Sequence, residues 1–413
     1  MIENLHIHTF PNGIRLAHKY VPSTQVSHIG IMLDIGSRDE KPHQQGLAHF
    51  WEHMAFKGTE KRNSFNILNR LETVGGELNA YTTKEKVCFH ASVLKPHTER
   101  AIELLTDIAF HSIFPEKMLD RERNVILEEM SMYYDSPEDA IQDDFDEIIF
   151  ADHQLGKNIL GNHESVSNFR REDLFAFIDE NLDTEKIIIA CTGNIKFDEI
   201  KKITEKYIKE IPLKRSNRIR QNPTFYKPQI QQVNRKITQA QVAIGRPSYA
   251  LNHPNRVPFF MLVNLLGGPA MNSRFNVSLR EKNGLVYSID ASYSPYIDAG
   301  FVGIYFGTEQ QKIEKSLALI HKELNLVKEK PLSTNQLSVL KNQLKGQLAM
   351  AEESNMGFMQ MMAKSLLDID RIDSLDEIFT QIDSVSAHNL QEIAIEMFDS
   401  SQLSSLTFLP ESE

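Results

Sequence analysis

At 413 residues, 41% of them apolar and 24% charged, the chain has the composition of a globular protein and the length for two domains of about 200 residues each, which excludes disorder and fibre. A net charge of −11 argues against a nucleic-acid partner, whose phosphates repel such a surface. No run of about 18 apolar residues suits a membrane span, and MIENLHIHTF lacks a basic stretch leading into an apolar one, so membrane insertion and export are not expected and the cytoplasm is. The two cysteines, Cys88 in VCFHAS and Cys191 in IIIACTG, lie in strand-like runs; a disulfide between them is open to the chain, but a reducing compartment suits isolated thiols better.

In chain order, LHIHTFPNGIRLAHKYV predicts two strands around a Pro11-Asn12-Gly13 turn. VSHIGIMLDIGS predicts a buried strand, GLAHFWEHMAFKGT a helix, and SFNILNRLETVGG a second helix stopped by Gly75-Gly76. ELNAYTTKEKVCFHASVL reads as two strands joined by a polar turn, and helical periodicity returns in ERAIELLTDIAF, in PEKMLDRERNVILEEMSMYY and in the acidic stretch that follows. The half closes with the strand KIIIACTGNI and the helix FDEIKKITEKYIKEI, an α+β layer with a largely antiparallel sheet backed by helices. A basic run, LKRSNRIRQNP, is flanked by Pro212 and Pro223 and reads as a solvated connector.

The same order then returns. NRKITQAQVAIGRPS is a strand pair or one long strand, RVPFFMLVNLLGG a helix ending in Gly-Gly, and LVYSIDASYSPYIDAGFVGIYFGTE two strands. Two helices, IEKSLALIHKELNLV and STNQLSVLKNQLKGQLAMAEES, and a closing strand QLSSLTFLP complete it. The expectation is a duplicated domain, divided as 1–212, a linker at 213–231, and 232–413. Laying the helix near residue 43 on that near 253 puts Phe259, Leu262 and Val263 opposite His49, Glu52 and His53, so chemistry is confined to the first half.

The polar residues in HFWEH have a specific geometry. Positions i and i+4 share a helix face, so His49 and His53 are placed to chelate a metal, while Glu52 borders that face and is free to hold a proton. With one more carboxylate, Zn²⁺ would have three protein ligands and an open position, and Glu52 would serve as general base. The pattern H-x-x-E-H is the inverted zincin signature, but five residues also describe two surface histidines beside a glutamate, and the pattern alone leaves both readings open. The best third ligand is Glu129, which follows Val125-Ile126-Leu127 on a long helix; Glu128 beside it reads as exposed. Glu122, two turns earlier on the same face, is placed to orient a ligand histidine.

Taken with ELNAYTTKEKVCFHASV, RERNVILEEMSMYYDSPED and SLREKNGLVYSIDASYSPYIDAGFVGIYFGT, the motif helix resembles the M16 metallopeptidases, the family of pitrilysin, insulin-degrading enzyme and the mitochondrial processing peptidase. The match is collinear over nearly the whole chain and is nearest to the short bacterial members that work as dimers. The resemblance implies a zinc endopeptidase with one Zn²⁺ per chain held by His49, His53 and Glu129, with Glu52 as base and Glu122 behind a ligand histidine. It implies that Asn79, Ala80 and Tyr81 form an edge strand that pairs with the peptide backbone. It further implies that Arg280 and Tyr287, in REKNGLVY, contact the substrate and its developing oxyanion from the inactive half.

Long family members supply that pair from the opposite half of a clamshell, so a chain of this length is expected to form a homodimer in which each zinc site is completed by Arg280 and Tyr287 of a second copy. Trp51 stands where the family more often has leucine and is expected in the core behind the helix. Met356, Met359, Met361 and Met362 read as core filler at helical spacing. The alternative class is a non-catalytic M16-like subunit acting as scaffold or peptide binder, against which the full set His49, Glu52, His53 and Glu129 argues, or a partner-dependent subunit, against which the presence of Arg280 and Tyr287 on this chain argues.

Overall fold

The computed structural model describes residues 2–411. Its strands are β1 (Leu5–Thr9), β2 (Arg15–Tyr20), β3 (Val26–Leu33), β4 (Glu77–Thr82), β5 (Val87–Leu94), β6 (Ile187–Gly193), β7 (Ile230–Arg235), β8 (Ala240–Pro247), β9 (Val286–Pro295), β10 (Gly300–Thr308) and β11 (Ser404–Pro410). The α-helices of the first half are α1 (Leu47–Ala55), α2 (Ser64–Glu72), α3 (Thr98–Phe110), α4 (Glu116–Tyr134), α5 (Pro137–Ile149), α6 (His163–Asn168), α7 (Arg171–Asn181) and α8 (Phe197–Ile208). Those of the second are α9 (Arg256–Gly267), α10 (Ile313–Glu329), α11 (Thr334–Glu352), α12 (Asn355–Ile369), α13 (Leu375–Ser384) and α14 (Ala387–Met397). The periodicity reading had not separated α6, α7, α13 and α14 as elements.

Two compact units result, each assembled from separate stretches. The first takes residues up to Met130, Lys157–Arg220 and Met350–Ser374; the second takes Ser131–Gly156, Gln221–Ala349 and the residues from Leu375 onward. Relative to the contiguous stretches 1–212 and 232–413, two segments change places: α5 joins the second unit and α12 the first.

The first unit holds a sheet in the order β1-β2-β6-β3-β5-β4. Only β2 and β6 are parallel; every other neighbouring pair is antiparallel. β6, IIIACTG, is buried at every residue, as an unbroken apolar run must be when both faces of its sheet are covered. On one face the alternate residues Ile29, Ile31, Phe89 and Ile189 pack under α1, α2, α3, α7 and α8. On the other, Ala17, Met32, Cys88 and Ala190 meet Phe358, Met359 and Met362 of α12. Gly30 lets that helix close on the sheet, since a Cβ there would come 2.7 Å from the Met359 sulfur. Cys88 and Cys191 therefore point to opposite faces as free, buried thiols, each pushed up to about 12 by burial.

The second unit repeats this topology. Its sheet runs β7-β11-β8-β10-β9, with β7 and β11 parallel and the rest antiparallel. Without β1, the first sheet matches it position for position, β2, β6, β3, β5, β4 against β7, β11, β8, β10, β9, so the fold is a duplicated α+β domain. NRKITQAQVAIGRPS is therefore not a strand pair: β11 lies between β7 and β8 and bonds to both. Phe145 and Ile149 of α5 cover one face of this sheet against Ala243, Phe301 and Phe408.

The basic connector is solvated only in part: Leu213, Arg215, Asn217 and Ile219 are exposed, as a linker is expected to be, but two of its arginines turn inward. Arg218 and Arg220 are mostly buried and form ion pairs with Asp34 and Asp39, and Arg220 also donates to the Glu85 carbonyl at 3.0 Å. Their acidic partners lie at the end of β3 and in the turn after it, too far away in sequence for a local reading to find. The β4–β5 turn is buried as well, where a polar hairpin turn is ordinarily exposed. Lys84 Nζ donates to the Lys157 carbonyl at 2.6 Å, Glu85 accepts from Arg38 at 2.6 Å, and Lys86 pairs with Asp368 of α12.

Burial acts to raise the Asp368 carboxyl, but Lys86 and Lys364 beside it outweigh that and hold it below the usual carboxylate range. A depressed folded-state value stabilises the fold above the unfolded value, near pH 4, and that stability is lost as pH falls through the folded value. Asp368→Asn leaves Lys86 buried without its partner and is expected to cost about 3 kcal/mol at neutral pH. In urea titrations the gap from wild type should narrow as pH drops below about 4; a gap constant over that range would exclude this pair as its origin.

Candidate metal centre

The helix α1 that carries HFWEH is held at both ends. Its N-cap, Gly46, has φ +93°, and a Cβ there would collide with the Leu160 carbonyl and with Gly161, so only glycine starts the helix at this place. The buried Glu40 carboxylate supplies the cap that Gly46 has no side chain to give, accepting from Gly46 N at 2.9 Å and Ala48 N at 2.8 Å. Trp51 fixes the rear face, wholly buried and edge-on to Phe89 with centroids 5.9 Å apart, in the core where the sequence places it.

The opposite face brings His49 and His53 together, their ring centroids 4.5 Å apart. Glu129, on α4, points between them: its Oε2 is 3.9 Å from His49 Nε2 and 3.5 Å from His53 Nε2. One ligand atom from each of the three residues lies within 4.8 Å of the others, and no other such group of His, Cys, Asp and Glu occurs among the described residues. Tetrahedral zinc with bonds of about 2.0–2.2 Å holds its ligand atoms roughly 3.4 Å apart, near the 3.5 and 3.9 Å that already separate Glu129 from the two rings.

Protonation suits the same purpose. Burial, with His53 close by, pushes the His49 imidazole down to about 3, so it is neutral at physiological pH with a lone pair to offer. His53 Nδ1 faces Glu122 Oε1 at 2.9 Å; since a carboxylate only accepts, Nδ1–H donates, and the lone pair of the neutral ring then lies on Nε2, the nitrogen that faces Glu129. Glu122 is buried and also accepts from Lys57 Nζ at 2.7 Å. Burial acts to raise its carboxyl, but His53 and Lys57 win and hold it low, as the anion that orients the ring. Glu128 is exposed, as expected beside an inward Glu129.

Glu52 lies on the border of this face. Its carboxyl is raised by burial, against which the Thr82 hydroxyl and His53 pull down and Glu129 pushes further up. Thr82 Oγ1 donates to Glu52 Oε2 at 2.5 Å. Thr82 ends β4, the edge strand that also carries Asn79, Ala80 and Tyr81 and that, among the described residues, pairs with β5 alone. Ala80 N donates to the Asn79 side chain at 2.8 Å, while Tyr81 turns its ring to the α12 face.

Arg280 and Tyr287 belong to the second unit and form a pair of their own. Arg280 is the next-to-last residue of a turn of π-helix at Asn276–Glu281, Tyr287 is the second residue of β9 with 84% of its surface exposed, and the guanidinium lies 5.7 Å from the centre of the ring. Their counterpart helix α9 carries Phe259, Leu262 and Val263 fully into the core, so the second repeat holds no polar set in the place of His49, Glu52 and His53.

Three participants were missed in the sequence. Lys57 stands four residues beyond His53, a spacing that places it on the same face, and Glu40 precedes the helix as capping carboxylates do. Thr82 directly follows Asn79-Ala80-Tyr81, but nothing local marks its hydroxyl as aimed at Glu52.

Residues 15–163 match the family model described as Insulinase (Peptidase family M16), and residues 168–344 that of the Peptidase M16 inactive domain. The uncharacterized zinc protease YmxG of Bacillus subtilis (strain 168) is 31% identical over 391 residues, 95% of either chain. An uncharacterized zinc protease of Rickettsia bellii is 29% identical over 98% of each. In fold, a peptidase M16 inactive domain from Pseudomonas fluorescens aligns with a TM-score of 0.91 at 16% identity, covering 99% of this chain and 98% of that one. A protease from Helicobacter pylori aligns at 0.89 and 20% identity, over 98% and 99%. With both family models placed in order along it and a relative of this identity matched end to end, the chain belongs to the M16 peptidase family.

Proposed function

We propose that the protein is a zinc-dependent endopeptidase that hydrolyses peptides or unfolded segments. The observation that carries this reading is the convergence of His49, His53 and Glu129, with the free nitrogen of His53 presented by Glu122. These three residues would hold one Zn²⁺ per chain, which supplies a Lewis acid able to bring the pKa of a water to about 7. Glu52 takes the proton of the attacking water on its carboxylate and delivers it to the leaving amine nitrogen. The free edge of β4 at Asn79-Ala80-Tyr81 pairs with the backbone of the peptide and leaves side-chain choice open.

In the proposed assembly two copies close a chamber, and Tyr287 and Arg280 of the second copy donate to the scissile carbonyl and hold the substrate backbone. An exposed tyrosine with an arginine beside it, on a unit lacking the metal set, supports that division of work. Two free, buried thiols and the absence, among the described residues, of a helix long and apolar enough to cross a membrane are consistent with a cytoplasmic enzyme.

Purified protein incubated with a mixed peptide library is expected to show cleavage that a chelator abolishes and zinc restores. Glu52→Gln should lower kcat by about 10²- to 10⁴-fold while still binding zinc; cleavage that ignores both the chelator and this substitution would remove the proposal. Glu122→Ala should weaken zinc binding about 10- to 100-fold in a competition titration with a chromophoric chelator; an unchanged affinity would show that Glu122 does not orient the ligand. Equal amounts of inactive Glu52→Gln and Tyr287→Phe chains, mixed and allowed to exchange, should recover about a quarter of the wild-type rate, since half of random dimers are mixed and each has one of two sites intact. Recovery of no activity above either parent would refute the shared site.

A further inference from the structure

β4 carries two tasks within four residues. Its outer edge is unpaired at Asn79–Tyr81, and the next residue, Thr82, donates to Glu52. Thr82 is the one hydrogen-bond partner of Glu52 among the described residues. A glutamate on a helix surface has three side-chain torsions to lose, and a half-buried carboxylate without a fixed donor spreads over several of them.

The donor itself is fixed. Threonine is β-branched and stiff at χ1, and the chain that follows is pinned on all sides. Thr83 N donates to the Lys86 carbonyl at 2.7 Å, Ser37 N to the Thr83 carbonyl at 3.2 Å, and Arg38 N to the Lys84 carbonyl at 2.7 Å. The three buried charges of Lys84, Glu85 and Lys86 anchor the turn further. The hydroxyl is thus a rigid point built into the strand, within hydrogen-bond distance of one carboxylate oxygen.

We infer that Thr82 is a positioning residue for Glu52: its hydroxyl holds Oε2, so that Oε1 is presented for proton transfer, and it does so from the strand that receives the peptide. This rests on Glu52 being the base of the proposed reaction. Peptide register on β4 and base orientation are then set by one rigid element rather than by two.

The test compares zinc-loaded, full-length Thr82→Val, which keeps the shape and removes the hydroxyl, with Thr82→Ser, which keeps the hydroxyl. Thr82→Val is expected to lose about tenfold or more in kcat, a share of the general-base contribution, with KM, zinc affinity and melting temperature close to wild type. Thr82→Ser should keep kcat within about threefold. Crystal structures of the two variants give a readout that needs no turnover: the Glu52 carboxylate should leave its place in Thr82→Val and keep it in Thr82→Ser. Wild-type kcat in the valine variant, an unmoved carboxylate there, or an equal loss in both variants would overturn the inference. A wild type that cleaves nothing, together with a carboxylate displaced only in Thr82→Val, would remove the peptidase reading and leave the positioning role standing.

Discussion

The turn between β4 and β5 buries Lys84, Glu85 and Lys86 together, and burying three charges in a hairpin is tolerable only if each finds a partner. Those partners organise the first unit. Glu85 collects Arg38 and lies beside Arg220, whose guanidinium also binds Asp34 and Asp39; Lys86 reaches α12 through Asp368. Asp39 is followed by Glu40, the residue that caps α1, so the same knot of charge that fixes the turn also fixes the loop from which the motif helix starts. His49 and His53 inherit their orientation from that helix, and Glu52 is tied back to the strand through Thr82. The centre is stiff because its supports converge on one buried place.

The two repeats show what a duplicated domain retains and what it gives up. Strand order is common to both, since the sheet and its backing helices form the core of each copy. The face of the motif helix opposite Trp51 is not under that constraint. In α1 it keeps two imidazoles and a carboxylate at a cost in burial, while in α9 the same positions are Phe259, Leu262 and Val263, and the helix contributes wholly to packing. The second copy places its polar residues elsewhere, at the start of β9, where Tyr287 is free to reach outward.

Legibility in the sequence followed locality. His49, Glu52 and His53 are within one helix, and the i, i+4 rule suffices to put both rings on one face. Glu129 and Glu122 required a long helix, on which a spacing of two turns puts both on one face, and the fold brings that face to the histidines. What a linear reading missed depends on distant pairs: Arg218 and Arg220 look like a solvated basic run until Asp34 and Asp39, far earlier in the chain, are folded against them. β7 and β8 look like a hairpin until the last strand of the chain inserts between them. Of the methionines of α12, Met359 and Met362 are buried and Met356 and Met361 partly so; their spacing announces a packed helix but not which sheet it packs on.

α12 follows four strands of the second unit in sequence, yet it covers the first sheet. During synthesis the ribosome therefore releases nearly the whole first unit before the helix that completes it, and until then Ala17, Met32, Cys88 and Ala190 present a bare apolar sheet face. The knot at Lys86 is likewise unpaired until Asp368 emerges. Chains cut short before α12 keep that apolar face uncovered, a surface open to aggregation.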